Sequence, residues 1–199
     1  MAKDWKGSEH SVYKIIGASN HAVDADREIR DYYATERKAT ELLLENEKFN
    51  KNIWECACGE LAISNVLEEH EYTVRNSDII SRGQDIEVLD FLTVQPNSWD
   101  GDIITNPPYS MAQQFVEKAM QAITNGHKVA MFLKLTFLEG KSRKEMFAEY
   151  PPKIVYVSSS RLKCAKNGDF SNTGGSAVAY AWFVWEKGFK GSPIIKWIN

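Results

Sequence analysis

The chain has 199 residues, of which 43% are hydrophobic, 12% aromatic and 26% charged, and its formal net charge at pH 7 is −3. This composition excludes a largely disordered chain, and the length favours one domain with a sizeable core. No apolar run approaches the ~20 residues of a membrane span, and the N-terminus lacks the apolar segment of a signal peptide, so we expect a cytoplasmic protein without membrane contact.

The N-terminal half begins with a polar segment and continues with helical periodicity. Residues 1–23 show no clear periodicity and are predicted to form an N-terminal arm, whereas residues 24–199 are predicted to form one domain without internal boundaries. Between Asp24 and Phe49 the apolar spacing predicts two helices that are separated near Ala34, with Thr35 capping the second.

From Asn50 onward, short β-rich runs alternate with helical runs. Seven strands are predicted, within residues 52–57, 72–79, 88–92, 99–108, 127–135, 153–160 and 176–187. Helices are predicted over residues 61–70, 110–126 and 144–150. This alternation is typical of an α/β, doubly wound, mostly parallel sheet with helices on both faces.

Acidic residues follow three of these strands. Glu55, Asp78 and Asp90 each come after an apolar run, and Gly59 permits a sharp turn after the first strand. In open parallel sheets ligands bind beyond the carboxyl ends of the strands, so the three carboxylates are candidates to hold an amino group or ribose hydroxyls. Helix capping and turn formation are the alternative roles.

The fourth strand runs into Asn106, Pro107, Pro108 and Tyr109. Two adjacent prolines lack N–H donors, so the strand has to end there. The Asn106 amide oxygen and the Pro107 carbonyl can accept both hydrogens of one planar NH₂ group, and Tyr109 can stack on a flat ring that carries it. A proline-rich turn without a chemical role is the alternative.

Cysteines and histidines show no metal-binding pattern, and the basic residues are unevenly distributed. Cys56 and Cys58 have no second pair, Cys164 lies far along the chain, and the histidines are scattered, so no metal is predicted. Residues 128–166 contain nine Lys or Arg against three Asp or Glu. That local excess is equally consistent with a nucleic-acid surface and with an ordinary solvated face.

Asn-Pro-Pro-Tyr after a strand, an acidic-x-x-Cys-Gly turn and two further acidic strand tips resemble the S-adenosylmethionine-dependent N6-adenine DNA methyltransferases, especially small phage-type members. The resemblance covers about residues 32–185. It implies a Rossmann-like methyltransferase fold, the cofactor S-adenosyl-L-methionine, and methyl transfer to the N6 amine of an adenine flipped out of double-stranded DNA.

The resemblance also implies roles for individual residues. Catalysis falls to Asn106, Pro107, Pro108 and Tyr109. Tyr33 and Thr35 are implied at the methionine end of the cofactor, Glu55 at its amino group, and Asp78 at its ribose. The remaining implied cofactor contacts are Ala57, Cys58 and Gly59 through the backbone, Ile79, Asp90 and Phe91 at the adenine, and Asn106.

Two positions depart from the family pattern, which usually has Pro at Cys56 and Gly at Leu61. A branched side chain at Leu61 can require another backbone conformation in a tight loop. An inactive nucleic-acid-binding relic is therefore one alternative, and methylation of an RNA base or of a protein glutamine amide is another.

Substrate contacts are expected in the segments after the fifth strand and before the seventh. Phosphate contacts are proposed for Lys134, Lys141, Arg143, Lys163 and Lys166, and support of the flipped base for Phe137 or Phe170. Core packing is the alternative for Phe137. Little chain remains for a separate target-recognition domain.

Overall fold

The structure is a computed structural model that describes residues 33–166, 168, 170 and 178–199. The expected N-terminal arm, residues 1–23, lies outside the described residues, as does the first predicted helix up to residue 32. Within the described part of the chain, no helix is long and apolar enough to cross a membrane.

In chain order, the strands are β1 (Tyr33–Thr35), β2 (Asn52–Glu55), β3 (Thr73–Asp78), β4 (Glu87–Val88), β5 (Asp102–Thr105), β6 (Lys128–Lys134), β7 (Ile154–Ser158), β8 (Cys164–Lys166), β9 (Tyr180–Glu186) and β10 (Ile194–Ile198). The α-helices are α1 (Arg37–Asn46), α2 (Ala62–Glu69), α3 (Ala112–Ala122) and α4 (Lys144–Glu149). Short 3₁₀ turns occupy Phe91–Thr93, Tyr109–Met111, Leu135–Leu138 and Lys141–Arg143.

Eight strands form the main sheet in the order β10-β7-β9-β6-β5-β2-β3-β4. All neighbours are parallel except β9, which pairs antiparallel with both β6 and β7. The doubly wound, mostly parallel sheet is thus confirmed. The eighth strand is β10, which was not predicted because four of its five residues are exposed and its pattern gives no buried face.

Helices cover both faces of the sheet, as alternate residues of β6 illustrate. Val129 and Met131 pack with the α3 residues Phe115 and Val116, whereas Phe132 packs on the opposite face with the α1 and α2 side chains. Because successive strand residues point to opposite faces, a strand buried on both sides reads as one continuous apolar run.

The prediction that Thr35 caps a helix was wrong, although Ala34 does lie outside helical structure. Tyr33–Thr35 forms β1, which pairs antiparallel with β8 so that Thr35 lies opposite Cys164. The N-cap of α1 is Glu36, whose side chain makes no capping hydrogen bond, so Thr35 does not cap the helix. We call this two-stranded sheet the β1–β8 ribbon.

Helix α3 also differs from its prediction, because it ends at Ala122 and not at residue 126. Ile123 turns to extended backbone, with ψ 159°, and forms an isolated parallel bridge with Trp99. An apolar Ile123 continues the helical spacing, so the sequence pattern alone did not mark this end.

Candidate active site

The four candidate strand tips lie next to one another along the carboxyl edge of the sheet. The order β5-β2-β3-β4 places the chain after β5, with Asn106, beside the tip of β2, with Glu55, and then Asp78 and Asp90. The chain winds outward in opposite directions from β2 and β5, so the strand order reverses between them. Ligands of open α/β sheets bind at such a reversal.

Glu55 is 2% exposed at the tip of β2. Its carboxyl group accepts a hydrogen bond from the Ser64 backbone N–H over 2.8 Å and also contacts the Ser64 hydroxyl. Ser64 lies in the first turn of α2, whose free N–H groups and dipole favour an acceptor there. Burial raises the pKa of Glu55 to about 8 despite the Ser64 hydrogen bonds, and the neighbouring Asp78 charge adds to the increase.

The loop between β2 and α2 is fixed to the tip of β3. The Cys58 N–H donates to the Ser77 carbonyl over 3.1 Å, and the Gly59 N–H donates to Asp78 Oδ2 over 2.9 Å. Leu61 adopts the left-handed conformation, with φ 66° and ψ 27°, that glycine adopts without steric cost. The leucine therefore accommodates this conformation under strain, and the loop still runs directly into α2.

Asp78 and Ile79 form a polar and apolar pair beside this loop. Asp78 Oδ1 accepts from the Ile80 N–H over 3.1 Å and lies 3.6 Å from the Arg82 guanidinium. The side chain of Ile79 is 50% exposed, which is uncommon for isoleucine and leaves an apolar surface next to a carboxylate.

Asp90 and Phe91 have different environments. Asp90 is exposed and caps the following 3₁₀ turn, because its Oδ1 accepts from the Leu92 N–H over 2.9 Å. Phe91 is 2% exposed and packs in the core, with ring centroids 5.2 Å from those of Trp54 and Phe115. Its ring thus presents almost no surface to a ligand, unlike Ile79.

The Asn106 amide is held by β1. Its Nδ2 donates to the Tyr33 backbone carbonyl over 2.7 Å and to Thr35 Oγ1 over 3.0 Å. A carbonyl oxygen can only accept, so the amide nitrogen has to face β1 and the amide oxygen faces away. That Oδ1 atom is buried and has no hydrogen-bond partner among the described residues.

Tyr109 belongs to a column of aromatic rings. Its ring centroid lies 6.1 Å from that of the half-exposed Tyr33 and 5.7 Å from that of Tyr180, which in turn stacks on Phe132 at 5.3 Å. The Tyr109 hydroxyl lies 3.2 Å from Cys164 Sγ. Burial raises the pKa of Tyr109 well above its ordinary value, so the phenol is neutral.

Arg143 is partly exposed, and its guanidinium already has partners in the loop after β6. Its guanidinium donates to the backbone carbonyls of Phe137, over 2.9 Å, and of Thr136 and Glu139. It therefore stabilises the loop after β6, while a phosphate contact of Arg143 stays a prediction. Phe137 is 7% exposed and packs against Phe147, which favours the core alternative.

The remaining candidate basic residues differ in position. Lys134 lies with Nζ 5.1 Å above the Tyr109 ring, at the site itself. Lys141 and Lys163 are exposed, and Phe170 is 39% exposed. The backbone of Lys166 pairs in β8, while its side chain lies outside what the structure describes.

Ser64 and Cys164 are site residues that sequence reasoning missed. Ser64 follows Glu55 by nine positions, and only the fold brings its N–H to that carboxyl group. Cys164 reaches Tyr109 through the long-range pairing of β8 with β1, for which the sequence carries no local signal. Within the residues that the structure describes, no group of three or more His, Cys, Asp or Glu side chains is arranged to hold a metal.

Comparison with protein-family models and with curated proteins finds no match. Among solved structures, a protein described as a predicted O-methyltransferase from Agrobacterium tumefaciens has a TM-score of 0.56 at 12% identity, over 80% of this chain and 85% of that one. The 23S rRNA methyltransferase ErmE has a TM-score of 0.52 at 16% identity, and the match covers 78% of this chain and 70% of that one.

A third structure, a TehB-like S-adenosylmethionine-dependent methyltransferase from Corynebacterium glutamicum, has a TM-score of 0.52 at 12% identity, over 89% of this chain and 95% of that one. At these identities the likeness concerns the fold. The chain therefore has the Rossmann-like fold of S-adenosylmethionine-dependent methyltransferases, on which many reactions occur.

Proposed function

We propose that the protein is an S-adenosylmethionine-dependent methyltransferase acting on a planar NH₂ group, specifically the N6 amine of adenine flipped out of DNA. The observation that carries the proposal is Asn106 Oδ1, a buried acceptor without a partner among the described residues. An unpaired buried acceptor costs about 1–3 kcal/mol, and at the switch point of the sheet a ligand that donates a hydrogen bond to it would offset that cost.

The residues at the neighbouring strand tips fit the cofactor. Glu55 offers a buried carboxyl group for an ammonium, Asp78 a carboxylate for ribose hydroxyls, and the exposed Ile79 an apolar surface for a flat base. Bound S-adenosylmethionine supplies a methyl group on a positively charged sulfur, which leaves as a neutral thioether. The resemblance of the sequence and the fold of the structural relatives both point to this cofactor.

Asn106 and Pro107 act on the amine itself. The lone pair of an aromatic amine is delocalised into its ring, which makes the nitrogen a poor nucleophile. When Asn106 Oδ1 and the Pro107 carbonyl accept its two hydrogens, they hold the NH₂ group in place and favour a nitrogen whose lone pair is exposed. Direct displacement then requires alignment and no covalent intermediate with the protein.

Tyr109 and the basic residues around it support a nucleic-acid base as the substrate. Tyr109 provides an aromatic surface directly after the Asn-Pro-Pro corner, and Lys134 brings a positive charge to its ring. Exposed Lys141 and Lys163 lie in segments with a local excess of basic residues and are candidates for phosphate contacts. A glutamine side-chain amide presents the same NH₂ group but needs neither a stacking ring nor cations.

The test is transfer of isotope-labelled methyl from S-adenosylmethionine to three substrates in parallel: unmethylated duplex DNA, RNA and a glutamine-rich protein mixture. We expect label in DNA, recovered as N6-methyladenine after digestion, and none with Asn106→Ala. Label recovered from RNA or glutamine would reassign the substrate, and absence of both transfer and cofactor binding would reject the proposal.

A further inference from the structure

The β1–β8 ribbon makes contacts that the proposed cofactor role of Thr35 does not explain. Thr35 is 3% exposed, and its Oγ1 lies 3.0 Å from Asn106 Nδ2. The resemblance assigns Thr35 to the methionine end of the cofactor, yet its hydroxyl faces the amide of the residue that binds the substrate amine. Opposite it in the ribbon, Cys164 Sγ lies 3.7 Å from the same Nδ2 atom.

The Asn106 amide has two N–H donors, and β1 supplies two oxygen acceptors. The Tyr33 carbonyl takes one hydrogen at 2.7 Å and the Thr35 hydroxyl oxygen takes the other at 3.0 Å. With both hydrogens used, only Oδ1 remains, and it is the atom without a partner among the described residues. An amide flipped by 180° would set Oδ1 against the Tyr33 carbonyl, two acceptors facing each other.

We propose that Thr35 is a positioning residue, which acts through Asn106 by holding its amide nitrogen so that the amide oxygen faces the substrate amine. The proposal rests on the proposed function for its catalytic consequence and on the geometry alone for its structural one. It extends to the ribbon as a unit, because Cys164 on β8 contacts both the Asn106 amide and the Tyr109 hydroxyl. The ribbon thus holds both polar side chains of the Asn-Pro-Pro-Tyr corner together.

Two substitutions of Thr35 distinguish positioning of the Asn106 amide from binding of the cofactor. Thr35→Val replaces the hydroxyl with a methyl group of similar size and leaves that Asn106 N–H only the weaker acceptor Cys164 Sγ, at 3.7 Å, whereas Thr35→Ser keeps the oxygen. We expect Thr35→Val to lower kcat about tenfold or more at saturating cofactor, with the cofactor Kd unchanged, and Thr35→Ser to restore most of kcat.

Thr40 offers a matched control. It is a second buried threonine, at 0% exposure in α1, and its Oγ1 has no hydrogen-bond partner among the described residues. Thr40→Val makes the same chemical change without removing such a contact, so we expect it to leave kcat unchanged. A loss of kcat in Thr40→Val equal to that in Thr35→Val would attribute the effect to general packing and overturn the proposal.

A measurement that needs no activity follows the amide directly. In a ¹⁵N-asparagine-labelled protein, the side-chain NH₂ resonances of Asn106, assigned through their absence in Asn106→Ala, report whether both hydrogens are bonded. We expect two well-separated, slowly exchanging proton signals in the parent and in Thr35→Ser, and faster exchange of one proton in Thr35→Val.

The two readouts distinguish failure of this proposal from failure of the proposed function. An unchanged Asn106 resonance in Thr35→Val overturns the positioning role. A raised cofactor Kd with kcat retained also overturns it, because that result would show that Thr35 acts in cofactor binding. A parent protein without transferase activity overturns the proposed function, while the NMR comparison still decides whether Thr35 orients the amide.

Discussion

Ser64 lies between Glu55 and Asn76 with its hydroxyl oxygen in contact with an oxygen of each side chain. A hydroxyl has one hydrogen and can donate to only one of the two oxygens. Two arrangements resolve the conflict: a protonated Glu55 that donates to Ser64 while Ser64 donates to Asn76, or an Asn76 amide turned so that its nitrogen faces Ser64. The geometry therefore agrees with a Glu55 that is neutral in the free protein, as its pKa of about 8 also indicates.

Glu55→Gln is expected to change how stability depends on pH. The folded-state pKa of Glu55 is raised from 4.5 to about 8, so in the parent this group lowers the free energy of unfolding as pH rises between those values. Glutamine has no charge to bury. Denaturant titrations at about pH 5 and about pH 9 measure the free energy of unfolding of both proteins. The difference between variant and parent should shift in favour of the variant by at least ~1.4 kcal/mol from the lower to the higher pH, the equivalent of one pKa unit.

Exposed Glu45 provides the control, since Glu45→Gln alters a carboxyl group that the solvent screens. If Glu55→Gln and the parent gave parallel stability curves from acid to base, Glu55 would be ionised in the free protein. The same variant should bind S-adenosylmethionine more weakly, because glutamine, unlike Glu55, cannot give up a proton and become a carboxylate when the ammonium binds.

At Leu61, glycine is expected to be more stabilising than alanine. In ordinary helical backbone alanine is favoured over glycine, but the left-handed φ of 66° penalises any Cβ by about 1–2 kcal/mol. Leu61→Gly and Leu61→Ala both lose the leucine side chain, so their difference isolates the backbone effect. Thermal unfolding should rank Leu61→Gly above Leu61→Ala by about 1 kcal/mol, and the reverse order would mean that Leu61 is not strained.

Two substitutions of Tyr109 distinguish the contribution of its ring to methyl transfer from that of its hydroxyl. Tyr109→Phe keeps the ring between Tyr33 and Tyr180 and loses the hydroxyl with its contacts to Cys164 and Asn106, so we expect methyl transfer to fall by less than about tenfold. Tyr109→Ala removes the stacking surface and should reduce transfer by about 100-fold or more. Equal losses in both variants would place the function of Tyr109 in its hydroxyl.

Lys128 and Glu47 connect β6 to the end of α1. Lys128 Nζ lies 2.6 Å from Glu47 Oε1, and the Tyr156 hydroxyl donates to Glu47 Oε2 over 2.9 Å. Burial alone would raise the pKa of Glu47, but hydrogen bonds from Lys128 and Tyr156 outweigh it and lower the pKa. The pair therefore stabilises the fold above the ordinary pKa of 4.5, and this stabilisation is lost as pH falls through the lowered value.

Lys128→Met should accordingly reduce the free energy of unfolding by about 1–3 kcal/mol near neutral pH, and by less at about pH 3. Lys153→Met removes a similar pair with Glu186 whose side chains are more exposed, and should cost less than about 1 kcal/mol. A larger effect at Lys153 than at Lys128 would contradict the ranking by burial.

The sequence predicted the main sheet well because its central strands β5, β6 and β9 are buried on both faces and its strands are separated by clear turns. The strand tips, with Glu55, Asp78 and Asn106, followed from the rule that ligands bind at the carboxyl edge. It failed for β1 because Tyr33–Thr35 becomes a strand only by pairing with β8, more than a hundred residues away. The burial of Phe91 and the backbone partners of Arg143 were not visible in the sequence, since a residue type does not reveal whether a ring is buried or a guanidinium already has partners.

The central claim is that the Asn106 amide oxygen accepts from the substrate amine, and Asn106→Ala tests it most directly when cofactor affinity and methyl transfer to DNA are measured on the same preparation. The account predicts that S-adenosylmethionine binds with a Kd within a few-fold of the parent value, while transfer falls by about 100-fold or more. Retained transfer in this variant would show that the amide oxygen is not the essential acceptor and would contradict the account.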